Sequence, residues 1–599
     1  MQKKPNIIYL MADELGYFEP GFMGNPNIRT PNLDKLAAEG VRFTNCYAGS
    51  AVCAPTRCCF LTGKHSGHTS VRDNDGGTPL RAEEVTIASV LKAQGYATGG
   101  FGKWGNGGRG STGAPEKHGF DVFFGYYDQV HAHSYYTPYL VRNSEEVPLP
   151  GNQGGSNGKT YAHYAIFDEA IKFIRENKNK PFFAYLPFTP PHGLFDIPDT
   201  DLAWALYKDK PWPEPARRYA AMVTMLDRQV GELMALLKEL KLDKNTLFLF
   251  SGDNGGNDYF VTKDAPRGVH SANKNPRTGV EFRGIKGQLY EGGLRIPALA
   301  WWPGKLARGR TSEHLWYFPD VLPTLAELAG ATAPKDTDGL SFLPELLGKP
   351  QKPHEFLYWE IAGNTAIRQG DWKAVQPGKS APWELYDLKS DMSEVHNHAE
   401  DKPEILARLR ALAAQAHTPA RVGIYSRTDL HARDRAAKFG NKPVEKNTNW
   451  PVPGLLSSKD WKLVRVSSEN GDNQKFGRNA LDGDPNTLWH TQFTGDVAPP
   501  PHELLIDLGA PYTITAFVCL ARQDASWNGA IKELEFFVSD SPERLGAPVV
   551  KATLTKTKAA QEVKCPPTKG RYVLLRALSE LNRNAFVSLA ELGIKAERV

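Results

Sequence analysis

The sequence places a cysteine where a helix is expected to begin. Cys53 is followed by Ala-Pro-Thr-Arg57 and then by the run Leu61–Gly63. Because proline is tolerated in the first turn of a helix, Pro55 puts the thiol at or just before a helix N-terminus. That position lowers the pKa of a thiol or attracts an anion, and Arg57, one turn later, could bind an oxyanion. A lone cysteine is more often a small core residue, so its surroundings must decide its role.

Acidic and amide side chains follow two of the predicted strands. The pair Asp13–Glu14 comes directly after the apolar run Asn6–Ala12, and the pair Asp253–Asn254 follows Thr246–Ser251. Both runs have the length and composition of buried strands. In a parallel sheet, ligands bind at the carboxyl ends of the strands. The two pairs are therefore expected at the ligand-binding edge of one sheet.

Strands and helices alternate along residues 1–355, which predicts an α/β domain whose sheet has helices on both faces. The further predicted elements are a helix between Thr30 and Gly40, strand Val41–Tyr47, helix Glu83–Gln94, strand Tyr96–Phe101, helix Tyr161–Asn177, strand Phe182–Pro187 and helix Glu214–Lys241.

The rest of the chain has a different character. Its predicted elements are the short antiparallel strands Phe356–Ile361, Ala366–Ala374 and Trp383–Asp387 and the helix Lys402–Ala416. Residues 356–417 are therefore expected to form a small antiparallel α+β subdomain. Residues 418–458, rich in Pro, Asn, Lys and Arg, have the composition of a linker. Residues 459–599 combine short strands with Gly, Pro and Asp turns, which predicts a β-sandwich.

Composition places the chain among ordinary globular proteins and excludes several classes. Of 599 residues, 41% are hydrophobic and 23% charged. Basic residues exceed acidic ones by only 72 − 67 = 5, which indicates no nucleic-acid partner. The apolar runs are too short to span a bilayer, and six cysteines at this length form no disulfide scaffold. No signal peptide is recognisable, so a cytoplasmic protein or one whose signal has been removed is expected.

The cysteine motif and six further segments resemble the formylglycine-dependent sulfatases of the alkaline-phosphatase superfamily. In chain order the similar segments are Pro5–Gly16, Thr30–Thr44, Cys53–Arg57 with Leu61–Gly63, Gly95–Trp104, Pro190–His192, Ser251–Gly255, and Arg283–Gly287 with Tyr290–Pro297. The resemblance covers about residues 5–415. It implies an alkaline-phosphatase-like mixed sheet flanked by helices.

The resemblance implies a reaction centred on Cys53. A formylglycine-generating maturation enzyme would oxidise Cys53 to formylglycine, whose hydrated form attacks the sulfur of a sulfate ester and later expels sulfate. Arg57 and Lys103 would neutralise the nucleophile and the sulfate, and Lys286 would contact sulfate oxygens. His192 would protonate the leaving alcohol. The implied activity is hydrolysis of sulfate esters on carbohydrates.

The resemblance also implies a divalent cation. Asp13, Asp253 and Asn254 would hold it, with Glu14 as the fourth ligand. All four side chains are oxygen donors, which suits a hard cation and Ca²⁺ in particular. The family usually has aspartate where this chain has Glu14, whose carboxylate reaches one methylene further.

A second departure from the family concerns the base that acts on the hydrated nucleophile. Many relatives have a histidine two residues after the lysine, whereas this chain has Gly105. Another group must then take the proton. His118, His131 and His133 are the sequence candidates, and each could equally be a loop or packing residue.

The segment Tyr126–Tyr136 is dense in aromatic and hydrogen-bonding side chains, which suits either sugar binding or a packed loop. Within it, His131 and His133 are candidate substrate-binding residues, as is Arg72 elsewhere. The segment also resembles bacterial sulfatases that act on 4-sulfated galactose or N-acetylgalactosamine. Exo-cleavage of a sulfated galactose or N-acetylgalactosamine is therefore expected.

The C-terminal residues 460–599 resemble a discoidin, or coagulation-factor-5/8 type C, domain. The similar segments are Asn479–Trp489, Leu505–Gly509, Val538–Asp540, Arg571–Leu575 and Ala590–Ile594. That family is a β-sandwich jelly roll and often a carbohydrate-binding module. It implies a structural cation near Asp482, Asp484, Thr487 and Glu591. The alternative is a ligand-free sandwich that only packs on the enzyme.

Two other functions stay open at this point. Relatives in the same superfamily cleave phosphodiesters or phosphonate monoesters, although the region around Lys286 favours sulfate. Without maturation of Cys53, the chain would be a non-catalytic glycan-binding protein. The family leads us to expect a periplasmic or secreted protein, with a cytoplasmic location still open. Its expected partners are a sulfated glycan and the maturation enzyme, with no nucleic acid and no membrane span.

Overall fold

The computed structural model describes residues 4–74, 77–154, 158–258, 260, 273–421, 423–438, 450–470, 475–485, 487–493, 497–523, 527–582 and 584–598. The chain forms two compact units, Met1–Asn441 and Lys442–Val599. Within the ranges described, no helix is both long and apolar enough to cross a membrane.

The strands of the first unit are β1 (Asn6–Asp13), β2 (Val41–Phe43), β3 (Cys46–Tyr47), β4 (Ala97–Lys103), β5 (Val122–Tyr126), β6 (Tyr139–Arg142), β7 (Glu145–Pro148), β8 (Phe182–Pro191), β9 (Thr246–Gly252), β10 (Ala298–Trp301), β11 (Arg310–Ser312), β12 (Trp316–Tyr317), β13 (Leu357–Ile361), β14 (Asn364–Gln369), β15 (Trp372–Gln376) and β16 (Glu384–Asp387). The helices are α1 (Pro31–Glu39), α2 (Cys53–Thr62), α3 (Ile87–Ala93), α4 (Ala162–Glu176), α5 (Leu202–Ala205), α6 (Glu214–Glu239), α7 (Glu291–Leu294), α8 (Val321–Ala329), α9 (Leu343–Leu346), α10 (Pro403–Ala416) and α11 (Thr428–Ala437).

A ten-stranded mixed sheet organises the first unit, in the order β11-β2-β10-β9-β1-β8-β4-β5-β6-β7. Its central strands β9, β1, β8, β4 and β5 are parallel, whereas β10, β6 and β7 run antiparallel to their inner neighbours. The α/β fold with a mixed sheet, expected from the sequence, is confirmed. Ala12 on β1 pairs in register with Gly252 on β9, so the acidic residues that follow both strands meet at one edge.

Helices cover both faces of the sheet, and the central strands are apolar on both sides. Along β1, Ile8 and Leu10 face a core that also contains residues of α1, α4 and α6. The alternate residues Ile7 and Tyr9 face a second core, built with α2, α3 and α8. Successive side chains of a strand point to opposite faces, so a strand buried on both sides reads as one continuous apolar run.

The strand predicted at Val41–Tyr47 is split into β2 and β3, which lie in different sheets. Two further predicted elements differ for local reasons. The helix predicted from Glu83 begins only at Ile87, because Thr86 and Ser89 form a reciprocal capping box at its N-terminus. The single strand predicted at Ala366–Ala374 is the hairpin β14–β15. Gly370 makes the turn with a φ of +59°, a left-handed conformation that glycine adopts at little cost.

The strands β13 to β16 form a four-stranded antiparallel sheet that packs against α10, which confirms the small antiparallel subdomain. Beyond it, part of the segment predicted to be a linker is a helix, α11, inside the first compact unit. Residues 439–449 of that predicted linker lie outside the described residues. The domain boundaries drawn from the sequence stay predictions.

The second unit is all-β, as expected. Its strands are β17 (Lys462–Val466), β18 (Trp489–His490), β19 (His502–Leu520), β20 (Ile531–Ser539), β21 (Val550–Thr553), β22 (Gln561–Glu580), β23 (Ser588–Leu589) and β24 (Glu591–Arg598). Antiparallel pairing joins β17, β19, β22, β20 and β21 in that order, with β24 paired to β19 and β18 paired to β23. A separate apolar core lies between these strands.

Candidate active site

Helix α2 begins at Cys53, as the proline in its first turn predicts. The Cys53 side chain is buried, and its Sγ donates a hydrogen bond to Oδ1 of Asp13 at 3.2 Å. Burial and the Asp13 carboxylate raise the pKa of the thiol to about 12. The lowered pKa expected at a helix N-terminus is wrong for this thiol, because exclusion from water and a neighbouring negative charge outweigh the helix terminus.

Asp13 and Asp253 share the Arg57 guanidinium at the end of the sheet, and Asp13 also pairs with Lys103. The Arg57 Nη2 atom lies 3.0 Å from Oδ2 of Asp253 and 3.5 Å from Oδ2 of Asp13. Lys103 Nζ donates to Oδ2 of Asp13 at 2.6 Å, and Arg57 Nη1 donates to the Lys103 carbonyl at 2.6 Å. All four side chains are fully buried. The site therefore ties α2 to the ends of β1, β4 and β9 through charge-assisted hydrogen bonds.

These charges affect the two acids differently. Burial alone would raise the pKa of Asp13, but the Lys103 ammonium and other nearby cations hold it well below its usual range. Burial and the adjacent Asp13 carboxylate instead raise the pKa of Asp253. Asp13 is therefore held in its ionised form, whereas ionised Asp253 is fully stabilised only when a further positive charge enters the site.

Glu14 adds a third carboxylate. Its φ of +57° lies in the left-handed region, which costs a residue other than glycine about 1 kcal/mol. The turn lets its backbone N–H donate to Oδ1 of Asp253 at 2.9 Å. Its buried Oε1 lies 3.3 Å from Nε2 of His192 and forms an ion pair with Nζ of Lys286. The strained turn therefore directs the carboxylate into the same cluster.

The side-chain oxygen of Asn254 is buried and has no partner among the residues that the structure describes. In the part of the chain described, its buried Oδ1 accepts no hydrogen bond, while its Nδ2 donates to the Gly255 carbonyl at 2.9 Å. A buried unpaired acceptor costs about 1–3 kcal/mol, which a cation at that oxygen would remove. Together with Asp13, Glu14 and Asp253, Asn254 forms an all-oxygen donor set of the kind that calcium binds. The residues present fit a hard divalent cation.

His192 and Lys286 form a pair beside the acidic groups. Lys286 Nζ lies 2.9 Å from Nε2 of His192, within hydrogen-bonding distance, and Nε2 also lies 3.3 Å from Oε1 of Glu14. Burial and the charge of Lys286 lower the pKa of His192 well below its usual range. Its ring stacks on His133, with centroids 4.5 Å apart. One ligand atom from each of Asp13, Cys53 and His192 lie within 4.8 Å of one another.

Three other candidates contact protein groups outside this cluster. His131 is fully buried, and its Nε2 lies 2.7 Å from a threonine hydroxyl. Arg72 donates to Glu360 at 2.6 Å and to two backbone carbonyls. The two ring nitrogens of His118 lie 3.1 Å and 3.0 Å from backbone carbonyls. Of the candidate histidines other than His192, His133 is thus the one in contact with the cluster.

A glutamine occupies the space beside Gly105. Gly105 has a φ of +78°, and a Cβ built on it would lie 1.8 Å from Nε2 of Gln129. The Gln129 side chain is buried, and its Nε2 has no hydrogen-bond partner among the residues described. A side chain at position 105 would have to displace this amide and adopt a left-handed backbone conformation, which glycine takes at little cost.

Sequence reasoning missed two side chains that position the centre. Thr56 Oγ1 donates to the Asp253 carbonyl at 2.8 Å, and the Tyr135 hydroxyl donates to the His192 carbonyl at 2.5 Å. Both fix the backbone next to a reacting group. Thr56 lies inside the motif Cys53–Arg57, but nothing in its spacing shows that it reaches a strand end so far away in the sequence.

In the second unit, the residues near which a cation is expected lie together. Thr487 Oγ1 donates to Oδ2 of Asp482 at 2.8 Å, and the Asp484 N–H donates to Oδ1 of Asp482 at 2.9 Å. Burial and the nearby Asp482 raise the pKa of Glu591 to about 9. The buried Oε1 of Glu591 has no hydrogen-bond partner in the described ranges. This oxygen-rich group fits a hard cation as well.

Protein-family models match three regions of the chain. The Sulfatase model matches residues 5–331. The model described as N-sulphoglucosamine sulphohydrolase, C-terminal matches residues 285–417, and the F5/8 type C domain model matches residues 464–592. The last two matches leave residues 418–463 between them.

Comparison with individual proteins also finds sulfatases. Arylsulfatase A of Homo sapiens is 33% identical over 473 residues, covering 68% of this chain and 87% of that protein. N-acetylgalactosamine-6-sulfatase of Homo sapiens is 31% identical, covering 62% of this chain and 71% of that protein. Among solved structures, Ps i-CgsB in complex with k-i-k-neocarrahexaose matches with a TM-score of 0.60 at 27% identity, covering 73% of this chain and 99% of that one.

Proposed function

The chain belongs to the sulfatase family, and on this basis we propose that it removes sulfate from carbohydrates with a formylglycine formed at Cys53 and a bound calcium ion. As a member of the family it is a sulfuric ester hydrolase with an alkaline-phosphatase-like fold, followed by an F5/8 type C domain. The family generally depends on formylglycine and a metal. The observation that carries the proposal is the buried Cys53 at the start of α2, bonded to Asp13 within a cluster of fixed charges.

The chemistry of Cys53 itself supports maturation. A thiol with a pKa of about 12 is protonated at neutral pH and is a poor nucleophile. Formylglycine supplies a hydrated aldehyde with two oxygens, so that one can attack sulfur and the other can later release sulfate. The unmatured chain is therefore expected to be nearly inactive.

The fixed charges around Cys53 balance before any ligand binds. Three carboxylates face three cations, and their formal charges sum to −3 + 3 = 0; the residues are Asp13, Glu14, Asp253, Arg57, Lys103 and Lys286. We propose that Arg57 and Lys103 neutralise the nucleophile and the sulfate group, while Lys286 contacts sulfate oxygens. Removing one partner of such a buried pair would leave an uncompensated charge, at a cost of about 3–5 kcal/mol.

The proposed calcium ligands are Asp13, Glu14, Asp253 and Asn254. The unpaired Oδ1 of Asn254 and the raised pKa of Asp253 both support a cation at this point. When bound, calcium would polarise a sulfate oxygen and favour the ionised nucleophile.

The His192–Lys286 pair is proposed to deliver the proton to the leaving alcohol. Without substrate, we assign the proton between them to Lys286, because an ammonium group can only donate a hydrogen bond. A sulfate group that binds Lys286 would draw the ammonium away and expose Nε2. The negative charge of that group also favours protonation of the ring, which makes His192 a competent acid.

His133 is the candidate for the base that Gly105 does not supply. It stacks on His192, and burial and nearby Lys103 lower its pKa well below the usual range, so its ring is neutral at neutral pH. A neutral imidazole can accept a proton. His131 and Arg72 keep their proposed roles in substrate binding through the loops that they hold rather than through direct contact with the cluster.

A sulfated galactose or N-acetylgalactosamine is the proposed substrate. One relative is an N-acetylgalactosamine-6-sulfatase, and one similar structure holds k-i-k-neocarrahexaose. The F5/8 type C domain is proposed to bind glycan and a structural cation. A sulfated glycan as partner, the maturation enzyme and a periplasmic or secreted location complete the proposal.

Sulfate release from monosulfated galactose, N-acetylgalactosamine and N-acetylglucosamine isomers would test this substrate class. We expect one galactose-type isomer to be turned over at least about tenfold faster than the glucosamine isomers. Phosphodiesters and phosphonate monoesters belong in the same screen. Turnover confined to them, or to small aryl sulfates, would contradict the proposal, and binding without turnover of any ester would indicate a non-catalytic protein.

A further inference from the structure

The two histidines of the site depend on a short turn that follows β5. Residues His131–His133 form a 3₁₀ turn, and the His133 ring stacks on the His192 ring with the centroids 4.5 Å apart and the planes 15° apart. Short 3₁₀ turns have poorer hydrogen-bond geometry than α-helices, so the position of this turn depends on the groups around it. The groups that hold the turn therefore also hold the ring that packs on His192.

The carboxylate of Asp128 holds the start of this turn. Its Oδ1 accepts the backbone N–H groups of Val130 at 2.8 Å and of His131 at 3.2 Å, as in an Asx turn. Its Oδ2 lies 3.2 Å from Nη1 of Arg435 and 3.7 Å from Nδ1 of His431, both on α11. Asp128 itself is buried. One buried carboxylate thus joins α11 to the turn.

A second buried carboxylate fixes α11 on the first unit. Asp434 is fully buried and accepts hydrogen bonds from Nε and Nη2 of Arg109, at 2.9 Å and 2.6 Å, and from the Tyr139 hydroxyl at 2.8 Å. A bidentate pair of a guanidinium and a carboxylate fixes orientation as well as distance. The Tyr139 ring in turn packs on the His131 ring, with the centroids 5.1 Å apart. α11 therefore supports the turn through Tyr139 as well.

The residues before α11 attach to the loop that follows β4. The Ser426 N–H donates to the Gly110 carbonyl at 2.7 Å, and the Ile424 carbonyl accepts the N–H of Thr112 at 2.8 Å. We call residues 423–438 the α11 segment. It contacts the loops after β4 and β5, and it lies between the regions that the sulfatase-type models and the F5/8 type C model match.

We propose that the α11 segment positions the His133–His192 pair for proton transfer, so that the catalytic part of the chain extends beyond the regions matched by the sulfatase-type models. Asp128 and Arg435 are the positioning residues. Arg435 holds Oδ2 of Asp128, Oδ1 of Asp128 holds the turn, and the turn holds the ring that stacks on His192. This role rests on the proposed function, because the two histidines are the proposed base and acid. A displaced pair slows proton transfer but leaves binding of the sulfate group to the cations unchanged.

Arg435→Met in the full chain removes the charge that faces Asp128 and keeps most of the side-chain volume. Arg427→Met is the matched control, because Arg427 lies just before α11 and pairs with the exposed Asp429. Rates per formylglycine would be measured with the monosulfated sugar isomer that the wild-type protein turns over fastest. For Arg435→Met we expect kcat to fall about tenfold and KM to change less than about twofold. Arg427→Met should change neither, and Arg435→Lys, which keeps the charge, should restore kcat to within about threefold of the wild type.

A double-mutant cycle with Asp128→Asn tests whether both residues act through one contact. Asparagine keeps an oxygen for the N–H groups of the turn but loses the charge that faces Arg435. We expect the double variant to lose about as much kcat as either single variant, about tenfold rather than about a hundredfold. Losses that multiply would overturn the proposal, because the two residues would then act independently.

A lower melting temperature of Arg435→Met with unchanged kcat would also overturn the proposal, because the α11 segment would then support only the fold. So would a loss that falls mainly on KM, or equal losses in Arg435→Met and Arg427→Met. If Arg435→Met does not fold, Asp128→Asn allows the same measurement with a smaller change in shape. If the wild-type protein, with formylglycine verified, hydrolyses no sulfate ester, the proposed function itself fails, and this result is distinct from failure of the positioning role.

Discussion

Each unit contains an acidic cluster, fully buried in the first unit and exposed apart from Glu591 in the second, and the two clusters balance their charge in different ways. In the first unit, each carboxylate of the cluster has a basic side chain against it, as Asp13 has Lys103 and Asp253 has Arg57. In the second unit, the charged neighbours that raise the pKa of Glu591 are the carboxylates of Asp482 and Asp484. Basic side chains therefore hold the first cluster in place, although the raised pKa of Asp253 still favours a further cation there, whereas the second cluster depends on a proton or a cation alone.

This difference separates a site built for reaction from a site built for binding. Fixed cations hold the first cluster in place before a metal or a substrate arrives, which is the preorganisation that catalysis requires. In the second cluster the buried Glu591 carboxyl lies beside two exposed aspartates, so its ionised form is stabilised when a cation binds and the binding energy contributes to folding. Perturbation of the first should affect mainly activity, and perturbation of the second mainly stability.

The largest expected effect comes from Cys53→Ala, which removes the nucleophile and leaves the charges in place. Sulfate release should fall by at least about 10⁴-fold. The melting temperature should change little, because the thiol makes one hydrogen bond, to Asp13. Ion chromatography of released sulfate and thermal unfolding measure the two effects. A preparation proven to lack formylglycine that keeps full activity would exclude Cys53 as the nucleophile precursor.

The second-largest effect is expected from Asp253→Asn, which removes one negative charge from the first cluster. We expect loss of bound metal and a fall in kcat of about 10³-fold, because Arg57 loses the nearer of its two ionic partners and the metal loses a charged ligand. Elemental analysis gives the metal content per chain. Asp227→Asn is the control: this buried acid accepts the N–H groups of Asn32 and Leu33 at the start of α1. It should lower stability but keep the activity of the folded protein and its metal, and equal metal loss in both variants would contradict the ligand assignment.

In the second unit, calcium should stabilise the fold in a pH-dependent way. Glu591, with a pKa of about 9 when folded, keeps a proton at neutral pH that the unfolded chain has released. Without calcium, stability should therefore fall as the pH rises from about 5 to about 9. Excess calcium should oppose this loss, with a larger gain in melting temperature at pH 8.5 than at pH 6.

Calorimetry in EDTA and in calcium at both pH values measures this effect, and Glu591→Gln is the matched variant. The glutamine cannot ionise, so both the pH trend and the calcium response of this unit should largely disappear. Melting temperatures that do not respond to calcium in the wild-type protein at either pH would rule out a cation at this cluster.

The smallest expected effect is that of Glu14→Asp, which restores the residue usual in the family. The shorter carboxylate would withdraw from His192 and Lys286, so kcat/KM should fall by up to about tenfold. Aspartate tolerates the left-handed backbone of this position better than glutamate, so the melting temperature should not fall. Glu14→Gln, which keeps the length but removes the charge, should reduce the metal content as well; if neither variant changes kcat/KM, Glu14 does not position the reacting groups.

The sequence was sufficient to predict those parts of the site whose position depends on a single helix or strand. Apolar runs followed by acidic pairs predicted that Asp13 and Asp253 end neighbouring strands, and the register of β1 and β9 brings them together. Pro55 predicted the start of α2. These features follow from local composition and from the rule that ligands bind at the carboxyl edge of a sheet.

Features that depend on distant backbone geometry could not be predicted. The contact of Gln129 with Gly105 depends on the positive φ of Gly105 and on the path of a second loop. The segment containing α11 has the composition of a polar linker. Its burial depends on the pairing of Asp434 with Arg109, which lies 325 residues away in the sequence and cannot be inferred from local composition. The balanced and the unbalanced acidic clusters likewise look the same in sequence, since which cations face which acids is decided by the tertiary fold.

The most direct test of the central claim is to measure sulfate release against the fraction of Cys53 converted to formylglycine. Preparations made with different amounts of maturation enzyme would be analysed by mass spectrometry of the peptide containing Cys53, which is about 18 Da lighter after conversion. We expect the turnover of the preferred sulfated sugar per chain to rise in proportion to the converted fraction and to extrapolate to zero at no conversion. Turnover that is independent of the converted fraction would contradict the proposed mechanism.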